Sequence, residues 1–266
     1  MKRLVSIGLV LVVVSLIGVG IGVAKGGPTG DVDKSDYVNV SNLIADMPKG
    51  TLTDEEVKSL VQMREEEKLA RDVYLTLADK WNLPVFSNIA KSEQTHTDAI
   101  KALLDRYGIE DPVKDDAVGV FTSDKLQKLY NDLVEEGSKS LMDALKVGAT
   151  VEDLDIKDLE EFLKIVEGND DIKIVYQNLM KGSRNHLRAF VRDIDREGGT
   201  YTPQFISKEE FEKIISSDWE RGPVDENGNP TNGNGNNGGG NNGHGNHGNG
   251  QGKGYGHGNG YHRGNH

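Results

Sequence analysis

The stretch Ser92-Glu93-Gln94-Thr95-His96 decides how this chain is read. A Glu-x-x-His step on a helix sets a carboxylate and an imidazole one turn apart, on one face and pointing the same way. Working outward, Phe86, Ile89, Glu93, His96, Ile100, Leu103 and Tyr107 follow the three-four spacing of a helix that buries one side. Both members of the step therefore fall on the seam that faces a core. Three more segments repeat the spacing. Leu60, Met63, Glu67, Ala70, Tyr74, Leu77 and Trp81 put Glu67 in a slot where an apolar residue is expected. Leu141, Leu145, Gly148, Glu152, Ile156, Leu159 and Leu163 turn Glu152 inward, and Ile172, Tyr176, Leu179, Ser183, His186 and Phe190 do the same for His186. The pattern predicts four long amphipathic helices and an all-α fold.

An ionised carboxylate buried alone costs several kcal/mol, so three glutamates on apolar seams require cations, hydrogen bonds or altered protonation. A metal ion meets that requirement. Carboxylates with imidazoles suit iron, manganese or zinc, and a chain without cysteine has no thiolate site. The candidate ligands are Glu67, Glu93, His96, Glu152 and His186. Each alone has a plainer reading: Glu67 ends the charged run Glu65-Glu66-Glu67, and such runs usually form solvated faces. A lone inward histidine is more often a hydrogen-bonded core residue than a ligand. The combination carries the metal reading, because two helix pairs each place an inner glutamate on the first helix and an inner histidine on the second.

The run Glu65-Glu66-Glu67-Lys68-Leu69-Ala70-Arg71-Asp72-Val73-Tyr74, followed by Ser92-Glu93-Gln94-Thr95-His96, resembles the ferritin-like superfamily. Ala144-Leu145-Lys146-Val147-Gly148-Ala149 leading to Glu152, and Gly182-Ser183-Arg184-Asn185-His186-Leu187, resemble the archaeal and bacterial ferritin-like family called domain of unknown function 2202. The resemblance spans roughly Thr51 to Ile215. It implies a ferritin-like four-helix bundle with an internal pseudo-twofold and a non-haem di-iron-type site, with no reaction attached. It also implies Glu67 as the first-helix ligand, Glu93 as the bridging carboxylate with His96 beside it, Glu152 as the third-helix ligand and His186 as the fourth-helix histidine. Ser183 departs from the pattern, standing where a second bridging glutamate belongs. Three arrangements fit that gap: an added water, Asp155 one turn beyond Glu152 as a substitute, or a single tightly held ion. Tyr74, two turns from Glu67, is either a core aromatic or a redox or hydrogen-bond partner of the site.

Local signals set the limits of the helices. Thr53 to Glu56 and Ser207 to Glu210 have the capping-box form. Asn82-Leu83-Pro84 leaves room only for a tight hairpin between the first two helices. The longer connection from Gly108 to Ser138 carries Leu126, Leu129, Tyr130 and Leu133 within Ser123 to Glu136, a short extra helix on a crossover between the two helix pairs. Outside this region, Met1-Lys2-Arg3 and the apolar run from Leu4 to Val23 read as a signal peptide or a membrane anchor over residues 1–24. Residues 25–50 read as a linker, 51–217 as the helical domain, and 218–266 as a disordered tail of glycine, asparagine and histidine. Asn39-Val40-Ser41 fits a glycosylation acceptor, a triplet common by chance.

A net charge of -12 with no basic stripe in the helical region argues against nucleic-acid partners. The leader places the domain outside the cytoplasm, secreted or held at the outer face of the membrane. The glycines of the tail neither follow a strand nor open a helix, so they form no phosphate loop, and Ser183 with His186 lacks the surroundings of a hydrolase nucleophile. Two readings of function stand. One is a metal-dependent redox protein of the iron oxidase or peroxidase type, acting on dioxygen, peroxide or metal ions. The other is a non-enzymatic metal-binding, storage or envelope-associated protein whose tail, with His244, His247, His257, His262 and His266, gathers metal. A domain that has lost its metal and serves only for interaction is a third, kept open by Ser183.

Overall fold

The structure is a computed structural model and describes residues 44–231. The leader or anchor at 1–24, the Asn39 triplet and the tail histidines lie outside the described residues. Every named element in the described part is a helix: α1 (Asp54–Trp81), α2 (Pro84–Tyr107), α3 (Asp124–Gly137), α4 (Leu141–Ile165), α5 (Asp170–Arg196) and α6 (Lys208–Ser216). None of them is long and apolar enough to cross a membrane.

Helix α1 starts where its sequence provides a cap. Thr53 accepts from the Glu56 amide while the Glu56 carboxylate accepts from the Thr53 amide, and Asp54, Glu55 and Glu56 place negative charge on the positive end of the helix dipole. It ends at Asn82, whose left-handed backbone (φ 50°) turns the chain so that Pro84 opens α2 with its ring in the first helical turn. Ser123 and Ser140 cap α3 and α4 through their hydroxyls, which accept from the Leu126 and Asp143 amides. At Ser207 the hydroxyl accepts from the Glu210 amide and starts α6.

The four long helices pack as two antiparallel hairpins, α1 with α2 and α4 with α5, joined face to face through α1 against α4 and α2 against α5. The inward sides are the apolar seams expected from the spacing. Leu60, Met63, Tyr74 and Leu77 on α1, Phe86, Ile100 and Leu103 on α2, Leu145 and Leu159 on α4, and Tyr176, Leu179 and Phe190 on α5 are all fully buried. The third seam drifts near its end: Phe162, not Leu163, is the buried residue there. There Phe162 packs against Tyr176 of α5, with the ring centroids 6.0 Å apart. The crossover helix α3 lies on α1 and α4.

The core is divided. One apolar cluster holds Tyr74, Phe86, Leu145 and Phe190, and another holds Leu60, Met63, Leu103, Leu159, Phe162 and Tyr176. Between them along the helix axes lies a polar layer. On the flank of α1, Lys68 is buried and donates to Asp72 (2.5 Å), Ala117 O (3.0 Å) and Val120 O (3.1 Å), while Arg71 reaches Asp72, Gln94 and Asp116. These bonds fasten the start of the crossover to α1. Beyond α6, residues 218–231 lie along the outer side of α5. Asn178 pairs with both the amide and carbonyl of Val224, and Arg184 and Arg188 hold Glu220. Tail composition gives no sign of this segment, because one buried valine and several backbone hydrogen bonds fix it.

Candidate metal centre

The polar layer draws on all four long helices. Glu67 comes from α1, Glu93 and His96 from α2, Glu152 from α4, and Ser183 and His186 from α5, each of them buried. The helical period puts each acid or imidazole on its seam, so packing the apolar halves forces the polar groups together.

Glu93 is the shared member. Its Oε2 lies 2.8 Å from His96 Nδ1, and its Oε1 lies 2.8 Å from His186 Nδ1. Glu67 Oε2 stands 3.2 Å from His96 Nδ1, and Glu152 Oε2 stands 3.4 Å from His186 Nδ1. Two triads result, Glu67 with Glu93 and His96, and Glu93 with Glu152 and His186, each offering donor atoms within 4.8 Å of one another. The two imidazole rings are 5.5 Å apart.

Whether these residues suit a metal can be judged from their hydrogen bonding. Glu67 Oε1, Glu93 Oε1 and His186 Nδ1 are buried with no hydrogen-bond partner. The Glu93 and His186 atoms are close in distance yet poorly aligned, as expected of lone pairs aimed at a common space and not at each other. Two donors about 2.1 Å from one ion and at right angles stand about 3 Å apart, in line with the four separations above. Each unsatisfied buried polar atom costs about 1–3 kcal/mol, and a cation in the layer relieves several at once. The donor set fits.

Protonation in the metal-free layer follows from the same packing. Burial pushes the Glu93 carboxyl up, but His186 and His96 on either side outweigh it and hold it well below the usual range. Burial raises Glu67 well above its ordinary value despite His96, and burial together with the Glu93 charge lifts Glu152 to about 7. Desolvation pulls both imidazoles down, yet two facing carboxylates apiece overcome it: His186 rises to about 9 and His96 rises well above its ordinary value. The layer therefore holds protons that a cation would displace.

Neighbouring groups fix the ligands in place. Tyr74 Oη donates to Glu152 Oε1 at 2.6 Å, with Gly148 O also within 3.3 Å. The tyrosine serves the glutamate on the facing helix, not Glu67 on its own. At Gly148 a Cβ would sit 2.4 Å from the Phe190 ring, and at Gly182 one would sit 2.6 Å from the His96 ring. Gly182 thus lets α5 approach His96. A glycine inside a helix costs about 1 kcal/mol relative to alanine, and that cost is the signal in the sequence that a close approach is needed. Ser183 donates to the Asp155 carboxyl, and its hydroxyl also lies 3.1 Å from Leu179 O. Asp155 belongs to neither triad. Burial, with Glu67 and Glu152 adding repulsion, raises its carboxyl well above the ordinary range.

All five residues proposed from the seam spacing meet in this layer. Asp155 and Ser183 pair beside it, and Tyr74 borders it. The sequence model of the family described as "Uncharacterized protein domain (DUF2202)" matches residues 56–218. "Uncharacterized protein MJ0754" of Methanocaldococcus jannaschii is 62% identical over 179 residues, which cover 67% of this chain and 96% of that protein. A crystal structure of the hypothetical protein MJ0754 is similar at a TM-score of 0.64 and 61% identity, over 66% of this chain and 99% of the solved one. The chain belongs to the DUF2202 family.

Proposed function

From that membership and the buried layer, we propose that this chain is a ferritin-like four-helix bundle whose centre holds two metal ions, with iron as the redox-active choice and manganese or zinc as competitors. The observation that carries the reading is the sharing of Glu93 between two triads of buried carboxylate and imidazole. Glu67, Glu93 and His96 would hold one ion, and Glu93, Glu152 and His186 the other. Bound iron would supply one-electron chemistry toward dioxygen, peroxide or other metal ions. The residues of the chain do the rest. Tyr74 keeps Glu152 oriented through its hydroxyl, Gly182 lets His96 sit close to α5, and the apolar clusters on both sides exclude bulk water. Glu152 and His186 release protons as a cation takes their place.

A bundle over 51–217 with the segment 218–231 fastened to its outer side, a leader or anchor at 1–24 that puts it outside the cytoplasm, and a histidine-rich tail beyond residue 231 that gathers metal belong to the same proposal. The Ser183 pairing favours a second reading. A hydroxyl stands at the position of a bridging carboxylate, and Asp155 is tied to it, so the centre is one acid short and fits metal holding without turnover.

Equilibrium dialysis of a chain ending at residue 231 against ferrous iron tests the centre apart from the tail histidines. Two ions per chain, falling to none in Glu93→Gln, support the proposal; no bound metal rejects it. Mixing the ferrous form with peroxide then separates the readings. Oxidation faster than that of free ferrous iron supports the redox protein, and an equal rate leaves the storage protein.

A further inference from the structure

Helix α3 contributes nothing to the metal layer, yet it roofs a cavity beside it. Leu129 of α3 covers a gap between α1 and α4 lined by Ala70, Val151 and Leu154 and by the polar Glu66, Thr150 and Asp155. The cavity measures about 30 Å³. One water needs about 10–15 Å³ on this measure, so there is room for one or two small molecules.

Its position matters more than its size. Glu66 and Ala70 stand one residue before and three residues after Glu67 on α1, and Val151 and Asp155 flank Glu152 in the same way on α4. The walls are thus built on the backbones that carry two of the proposed ligands, one side-chain layer away. Glu66 also borders the open surface groove between α1 and the start of α3, which marks the way to solvent.

The lining selects the occupant. Six of the nine residues lining the cavity are alanine, valine or leucine, so water there finds few of the 2–4 hydrogen bonds it needs, and a hydrated cation would have to shed its shell. A small molecule with no charge and no hydrogen bonds to lose is favoured. We infer that the cavity under α3 is a holding site for an apolar diatomic gas of the size of dioxygen, placed next to the Glu67 and Glu152 side of the centre. Its purpose rests on the metal reading above, whereas its occupancy does not.

Xenon serves as the probe, with the metal-free full-length chain and methyl NMR. Saturable xenon-induced shifts are expected at Leu129, Val151 and Leu154. Val151 lines the cavity and is only part-buried, so Val151→Phe should fill the cavity and abolish the shifts. Leu129→Ala enlarges it and should strengthen them. Absence of saturable shifts in the natural chain, or shifts that neither variant alters, overturns the inference. In ferrous-loaded protein, Val151→Phe should slow oxidation by dioxygen several-fold and leave oxidation by peroxide unchanged, and equal slowing of both overturns the transit role. A chain that takes up no iron still answers through xenon, so failure of the metal reading and failure of the cavity reading are told apart.

Discussion

Replacing Glu93 by glutamine keeps the shape of the side chain and removes the one charge common to both triads. In the metal-free chain that charge faces His186 Nδ1 and His96 Nδ1, each at 2.8 Å. Desolvation lowers His186, and Glu93 followed by Glu152 nevertheless carries it from 6.5 to about 9. A net rise of that extent corresponds to about 3 kcal/mol, at 1.36 kcal/mol per unit, so the carboxylates supply more than this against the burial. With Glu93→Gln the larger of the two attractions disappears, and His186 should return toward 6.5. Titration of the imidazole ring protons by NMR reads the change directly. The metal-loaded form gives an independent reading. Losing an outer-shell partner of a metal ligand lowers affinity by about 10–100-fold, so loss of a shared donor should cost at least about 100-fold at both positions. Glu67→Gln and Glu152→Gln, each in one triad only, should each empty one position. A His186 that still titrates near 9, or a Glu93→Gln protein that keeps both ions, would refute the role of Glu93 as the shared anchor.

Tyr74→Phe removes the 2.6 Å hydrogen bond to Glu152, which should destabilise the fold by about 1.5–3 kcal/mol in denaturant titrations and lift the Glu152 carboxyl further, since that bond holds it down. Gly182→Ala forces the His96 ring away from a 2.6 Å contact; a stability loss of about 1–3 kcal/mol and weaker binding at the Glu67 position, with the Glu152 position spared, are expected from calorimetry and metal titration. Lys68→Met leaves Asp72 buried with part of its compensation gone, and a loss of about 3–5 kcal/mol should appear in the unfolding midpoint. The pH dependence has a definite sign. Glu67, Glu152, Asp155, His96 and His186 all bind protons more tightly in the folded metal-free chain than their ordinary values allow. Over the window from about 4.5 to about 9 the unfolded chain thus holds fewer protons, and stability falls as pH rises. Metal affinity should rise over the same window as the displaced protons become easier to lose, and calorimetry in buffers of different ionisation enthalpy counts them.

Much of this architecture was legible because seam spacing is a direct record of what faces the core. Glu67 shows why that record outweighs local composition: it ends a run of three glutamates and precedes Lys68, yet both residues are buried. The composition suggested solvent, and the seven-position alternation overruled it. Lys68 itself was not legible, since its compensation comes from Asp72 and from carbonyls of Ala117 and Val120 that only the crossover brings near. The same applies to Asp155. The sequence allowed it to replace the acid missing at Ser183, but side-chain direction binds it to the serine hydroxyl, outside both triads. Leu163, placed inward by the spacing, packs part-buried against the second cluster, while its neighbour Phe162 is the fully buried residue, set against the Tyr176 ring that the spacing of one helix does not reveal. Gly182 was readable in principle, as a helix-interior glycine one residue before Ser183, but its purpose appears only when the His96 ring is seen against it.

The proposed centre requires buried acids and imidazoles from four helices to surround bound cations. Anomalous diffraction from crystals of the iron-loaded full-length chain tests it most directly, because it locates metal and does not confuse the centre with the tail histidines. The account predicts two anomalous peaks that share Glu93, one beside Glu67 and His96 and the other beside Glu152 and His186. Iron found only elsewhere, or His96 and His186 turned away from these carboxylates, would contradict it.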